Sequence, residues 1–212
     1  MSEEQVDAIA AQISTCTLCP LHEGRKNTVP GSGNPDADIM FIGEAPGQYE
    51  DEQGVPFVGR SGQYLNYLLD KIGLVRGDVF ITNMVKCRPP GNRDPQKGEL
   101  AACKPYLDEQ VQSIDPKVII LVGRISMAKY FPKGKISDIH GQPLYQDGRA
   151  YYPIYHPAAA LRNPRLKRDM EDDFTRLVEV IEEVKKRRTG EDSGNTVQDN
   201  TSQDPPEQLT LL

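Results

Sequence analysis

The chain has 212 residues, 37% of them hydrophobic and 26% charged, enough apolar material for one proper core in one main domain. Its formal net charge of −6 argues, on total charge alone, against a strongly basic nucleic-acid-binding class. Residues 1–14 are polar and acidic, and no apolar run approaches the roughly 18 residues that a membrane span requires. Neither a secretory leader nor a membrane anchor is expected, and the sequence predicts a soluble, cytoplasmic monomer.

In chain order, residues 6–14 carry a weak helical period and run into a first cysteine pair. Residues 38–43, 78–83, 117–123 and 150–156 are short, mostly apolar and rich in β-branched or aromatic side chains, the pattern of buried parallel strands. Helical patterns cover 62–72, 97–113, 125–130 and 167–187. This alternation predicts an α/β fold: a three-layer αβα sandwich around a central, mainly parallel, four-stranded sheet, occupying residues 1–188. Functional loops in such a sheet gather beyond the carboxyl ends of the strands. Here those ends are Gly43-Glu44-Ala45-Pro46-Gly47, Thr82-Asn83 and His156-Pro157, so their polar groups are predicted to meet at one rim.

Residues 189–212 lose nearly all large apolar side chains, and a flexible acidic tail is expected there. The tail holds five acids (Glu191, Asp192, Asp199, Asp204 and Glu207) and no Lys or Arg. Taking those five from the 31 acids leaves 26 against 25 basic residues, so the body is close to neutral. Two basic runs stand out in the body, 162–168 and 185–188. A local patch suffices to meet phosphates, because exposed charges act over a Debye length of ~8–10 Å.

Four cysteines occur: Cys16 and Cys19 in a C-x-x-C pair, then Cys87 and Cys103. Without an export signal, disulfides are the less favoured use. The C-x-x-C pair precedes the first strand, whereas a thioredoxin-like redox motif follows one. A four-thiolate metal site uses every cysteine and would staple the N-terminal segment to the active rim. Spacing alone leaves tetrahedral zinc and an iron–sulfur cluster both open.

The loop Gly43–Gly47 can turn backbone N–H groups toward a ligand. It lacks the lysine of a phosphate loop and the spacing of a dinucleotide fingerprint, and alone it is also compatible with a plain strand-ending turn. Phe57 sits in a Gly/Pro-rich loop before a helix, suited to stacking on a planar ligand. Asn83 offers one donor and one acceptor, the pattern that reads the N3–H and O4 of a pyrimidine. His156 completes the set at the end of the fourth strand.

The segments GEAPGQYEDEQGVPFVGRSG, ITNMVKCRPPGNRDP and HPAAALRNP, with the four cysteines in order, resemble the iron–sulfur (type 4) uracil-DNA glycosylases over roughly residues 5–185. The resemblance implies an αβα sandwich holding a [4Fe-4S] cluster on Cys16, Cys19, Cys87 and Cys103, with zinc the less favoured metal. It implies a uracil pocket of Gly43, Glu44, Ala45, Tyr49, Phe57, Asn83 and His156, and removal of uracil from single- or double-stranded DNA in base excision repair. Ala45 stands where the best-known uracil glycosylases carry a water-positioning Asp. Residues 85–95 contain neither the basic insertion nor the reactive His of a related branch, so no covalent DNA adduct is expected.

The expected mechanism follows from these residues. His156 and Asn83 stabilise the departing uracil anion, Phe57 stacks on it, and Glu44 orients water or stabilises the sugar cation. Leu161 is expected to wedge into the vacated base stack, with Arg162, Arg165, Lys167 and Arg168 on the flanking phosphates. Gln208-Leu209-Thr210-Leu211-Leu212 resembles a short bacterial sliding-clamp-binding motif, with Gln208, Leu209, Leu211 and Leu212 as the anchoring side chains. Two other classes remain open at this level: a non-catalytic metal-cluster protein that binds nucleic acid, and an α/β enzyme acting on a free nucleotide.

Overall fold

The computed structural model describes residues 2–189. The rest of the acidic tail, with Gln208, Leu209, Leu211 and Leu212, lies outside the described residues. The sheet consists of β1 (Ser32–Gly33), β2 (Ile39–Gly43), β3 (Phe80–Asn83), β4 (Val118–Val122), β5 (Leu144–Gln146) and β6 (Arg149–Ile154), in the order β1-β3-β2-β4-β6-β5. The four expected strands are β2, β3, β4 and β6, and they are mutually parallel. The expectation of four strands is corrected to six, because an antiparallel strand borders each edge.

Both edge strands escaped hydrophobic pattern for physical reasons. β1 is two residues long and has no apolar period. β5 returns into β6 through Asp147 (φ +52°) and Gly148 (φ +70°), the backbone signature of a two-residue I′ hairpin. Its Asp-Gly pair was a legible turn signal between two short runs of weak hydrophobicity.

Alternation along the strands splits the core in two. Phe41, Ile81, Ile120 and Tyr152 face one side, packed under Leu65, Leu68 and Leu69 of α4 (Arg60–Lys71) and Met170, Phe174 and Leu177 of α9 (Pro164–Thr189). Met40, Ile42, Ile119 and Leu121 face the other, under Leu107 and Ile114 of α5 (Lys97–Ile114) and Met127 of α6 (Arg124–Ala128). Each fully buried side chain of this size is worth about 1.5–3 kcal/mol relative to exposure. α1 (Ser2–Ser14) packs on α5 from outside. Helices therefore cover both faces, which is the three-layer sandwich. Among the described residues no helix is long and apolar enough to cross a membrane.

α9 starts earlier than its amphipathic pattern indicated. Asn163 caps it, its Oδ1 accepting the Arg165 N–H at 2.9 Å, and Pro164 takes the first helical position, where its missing N–H costs nothing. Arg165 therefore joins Lys167 and Arg168 on the first turns of the helix.

Candidate active site

The three strand ends do meet. Glu44, Ala45, Gly47, Glu50, Phe57, Asn83 and His156 line one cavity at the carboxyl rim, with Asp94 and Arg162 among its other walls. Parallel register places Gly43 beside Asn83, and the ladder continues past the strand, Met84 N–H donating to the Gly43 carbonyl at 2.9 Å. A Cβ on Gly43 would collide with Asn83 Oδ1 and lie 2.7 Å from the Phe57 ring. Glycine there is what lets all three groups share one floor.

Glu50 holds the loop in shape. It is the third residue of α3 (Gln48–Gln53), and its carboxylate accepts the N–H groups of Gly47 (3.1 Å), Val58 (3.0 Å) and Gly59 (3.0 Å). One carboxylate thus ties the Gly43–Gly47 loop to the Phe57 loop. Only the Glu half of a capping box is present, because Gly47 has no side chain to return the bond. Tyr49 is turned the other way. It is 56% exposed and outside the cavity lining, its ring lying against Gly59 instead. In a helix successive side chains diverge by about 100°, so α3 presents Glu50 and not Tyr49 to the cavity.

Phe57 is buried and adopts φ +52°, a left-handed conformation that costs a non-glycine residue about 1 kcal/mol or more. Its ring lies 5.9 Å from the His156 ring, with 28° between the planes. Asn83, at the end of β3, is 1% exposed, and its Oδ1 is the only buried side-chain polar atom without a hydrogen-bond partner among the described residues. Such a group costs about 1–3 kcal/mol when left unpaired. The cavity thus contains a buried acceptor that no protein group among the described residues satisfies.

His156 follows β6 and caps α8 (Pro157–Ala160), its Nδ1 accepting the Ala158 N–H at 3.1 Å. β6 ends at Ile154, short of the expected 156, and Pro157 opens this helix as its first residue, so the segment after His156 is not a plain loop. With Nδ1 occupied as an acceptor, the proton of the neutral ring is on Nε2. Burial pushes the imidazole pKa down to about 4, opposed by the Glu50 carboxylate. His156 is therefore a neutral ring with one N–H to donate.

Glu44 sits on the same rim, its Oε1 accepting the Ile125 N–H at 3.0 Å. Burial raises its pKa; the Ile125 bond opposes that and nearby Asp94 adds to it. Gly123, at the end of β4, is the residue that pattern reading missed. A Cβ there would come within 2.6 Å of Glu44 Oε1 and 3.2 Å of His156 Cβ, and its φ of +93° suits glycine.

Of the basic positions, Arg162 borders the cavity, whereas Arg165, Lys167 and Arg168 are exposed on α9. Leu161 is 39% exposed and outside the cavity lining, one residue before Arg162. The second basic run is elsewhere. Lys185 pairs with Glu182, and Arg187 with Glu183, at the far end of α9.

The cysteines converge from three segments. Cys16, Cys19, Cys87 and Cys103 line one small cavity with Leu21, Val85 and Tyr106, and all four are free thiols. Arg25 Nη1 donates to Cys87 Sγ and the Lys86 N–H to Cys103 Sγ, both at 3.3 Å. Burial pushes the Cys87 thiol up and the Cys103 thiol up to about 11. Donors aimed at sulfur, in an apolar cavity with no disulfide, suit thiolates that bind metal. Among the described residues no three Cys, His, Asp or Glu side chains are grouped tightly enough for a single metal ion. Buried Lys86 joins this centre to the other, donating to Thr82 Oγ1 (2.6 Å), the Asn83 carbonyl (2.8 Å) and Gln110 Oε1 (2.6 Å).

Comparison with known proteins accords with this geometry. The family model described as Uracil DNA glycosylase superfamily matches residues 30–181. A type-4 uracil-DNA glycosylase of Saccharolobus solfataricus is 47% identical over 188 residues, covering 84% of this chain and 87% of the relative. Those of Archaeoglobus fulgidus (41% over 191 residues; 84% and 94% covered) and Thermotoga maritima (40% over 191 residues; 88% and 95% covered) are similar throughout. A type-5 uracil-DNA glycosylase of Thermus thermophilus matches at 31% over 57% of the chain. With its cavity built from the matched region and its relatives aligned along most of their length, the chain belongs to the uracil-DNA glycosylase superfamily, in its type-4 branch.

Proposed function

We propose that this chain removes uracil from single- or double-stranded DNA by hydrolysing the N-glycosidic bond, leaving an abasic site and forming no covalent adduct with DNA. The orphaned Asn83 Oδ1 carries the reading, because uracil N3–H is the donor it lacks. The Asn83 amide N–H groups then face O4, and Phe57 stacks on the base. The backbone of Gly43–Ala45 completes the cradle. A base reaches such a cavity only after leaving the duplex, at a cost of a few kcal/mol that is smallest for mispaired uracil.

As the C1′–N1 bond breaks, its electron pair passes to uracil and negative charge spreads onto O2, while C1′ becomes cationic. His156 Nε2–H meets that O2. Water adds to C1′, and the proton it loses passes through solvent to the uracil anion, giving neutral uracil; Glu44, close to His156 and with a raised pKa, is assigned to orient the water. Arg162, Arg165, Lys167 and Arg168 hold flanking phosphates, and Leu161 fills the vacated stack.

Cys16, Cys19, Cys87 and Cys103 are assigned to a [4Fe-4S] cluster in a glycosylase domain of residues 1–188. The four cysteines line one apolar cavity, and four thiolates are the usual ligand set of such a cluster. When bound, the cluster fastens the N-terminal segment and α5 to the end of β3. Anaerobically purified protein should be brown, contain iron, and convert uracil-containing oligonucleotides to alkali-labile abasic products without cutting the strand beforehand. Tight DNA binding with uracil left in place would instead identify a non-catalytic binding protein.

Residues 189–207 are assigned as a tether that presents Gln208, Leu209, Leu211 and Leu212 to an apolar pocket on a sliding clamp. Deleting 208–212 should abolish binding to a purified bacterial clamp and leave excision from short oligonucleotides unchanged. Equal clamp binding by the shortened chain, or none by the intact one, removes this assignment.

A further inference from the structure

The left-handed backbone of Phe57 is held by a residue remote in sequence. Arg76, in the turn after α4, spreads its guanidinium over two successive carbonyls, Nη2 donating to Pro56 at 2.7 Å and Nη1 to Phe57 at 3.0 Å. Nη1 also reaches Asn66 Oδ1 at 3.3 Å, which anchors the fork to α4. From the other side Gly62 presses directly on the Phe57 carbonyl, so close that a Cβ on Gly62 would overlap it. The Phe57 peptide is thus wedged between the first turn of α4 and a planar cation. Arginine suits this role because its rigid fork bonds two acceptors at once; an ammonium on a flexible stem is not shaped to do so. The cation is half-buried, and its hydrogen bonds go to uncharged oxygens.

We propose that Arg76 is a positioning residue for base recognition. By clamping the Pro56 and Phe57 carbonyls it keeps Phe57 in the strained conformation that sets its ring against Gly43, Asn83 and His156. Without the fork the two carbonyls lose their donors and Phe57 relaxes toward ordinary φ, which withdraws the ring from the cavity. The inference rests on the reading of Phe57 as the stacking surface for uracil, and it adds the residue that makes that surface.

A double-mutant cycle on the full-length holoprotein tests it. Arg76→Met should lower kcat/KM for uracil excision by ~10-fold, the scale of a lost charge-assisted hydrogen bond. Most of the change should appear in KM, because stacking holds substrate and transition state alike. In a Phe57→Ala background the same substitution should change excision less than ~2-fold while lowering Tm as it does in the parent. Arg76→Lys should recover part of the loss and serves the same cycle should the methionine variant fold poorly. If Phe57→Ala excises uracil at the parental rate, the stacking reading falls. If Phe57→Ala is slow but Arg76→Met slows both backgrounds equally, or slows neither, stacking stands and the role given to Arg76 is overturned.

Discussion

Asn83→Asp should reduce uracil excision by about 10²-fold or more, and a weak excision of cytosine should emerge. The buried Asn83 Oδ1 has no protein partner among the described residues, so the fold leaves this acceptor for a base that brings N3–H. Aspartate retains an acceptor but removes the donor to O4, leaving two oxygens facing each other in a desolvated cavity. Sites built on paired polar groups discriminate strongly for this reason, since the wrong partner leaves buried atoms unsatisfied. Cytosine, which offers N4–H₂ where uracil offers O4, gives the carboxylate a donor. Asn83→Ala separates the effects: it should be slow on uracil and gain no cytosine activity. Single-turnover assays on matched oligonucleotides carrying U·G and C·G pairs measure both. A uracil rate for Asn83→Asp within ~3-fold of the parent would remove Asn83 from base reading, given the ~1–3 kcal/mol at stake.

Much of this arrangement is legible in the sequence. Continuous apolar runs marked β2, β3, β4 and β6, and the rule that loops gather at carboxyl ends brought Glu44, Asn83 and His156 together. The parts that were not legible share a cause: each depends on phase or approach rather than on residue type. Tyr49 and Glu50 are neighbours, and only the start of α3 at Gln48 decides which enters the cavity. Gly123 matters through the space it leaves between Glu44 and His156, and no local pattern records that. The orphan state of Asn83 Oδ1 is likewise a property of its surroundings.

Charge patterning was informative at one end of α9 and misleading at the other. Both basic runs looked alike as sequence, yet Arg162 borders the cavity while Lys185 and Arg187 are matched by Glu182 and Glu183 one helical turn away. Exposed pairs at this spacing contribute only a few tenths of a kcal/mol. They do, however, cancel the local positive field that phosphate contact needs.

His156 supports the second large effect. His156→Ala should slow the chemical step by ~10²–10³-fold, the usual scale for losing one preorganised donor to a developing oxyanion. The pH dependence distinguishes the proposed role from an ordinary cationic one. An imidazolium donor would be strongest below the usual His pKa of about 6.5, with activity falling as pH rises through that value. Here burial holds the pKa near 4, so the ring is neutral above that value and Nε2–H is already the donor through pH 5–8. Nδ1 accepts the Ala158 N–H, and protonating it would set two N–H groups against each other and break the cap of α8. Single-turnover excision should therefore show no limb at 6.5 from this residue, and the His156 contribution should disappear only as pH falls toward 4. The same shift has a consequence for folding. Below about 6.5 the unfolded chain takes up a proton at His156 that the folded chain refuses, so the stability linked to this residue is present above 6.5 and is lost as pH drops toward 4. Comparing parent and His156→Ala across that window isolates the effect. A ratio of rates that changes around pH 6.5, instead of near 4, would show that the ring works as a cation and that a neutral donor to O2 is the wrong mechanism.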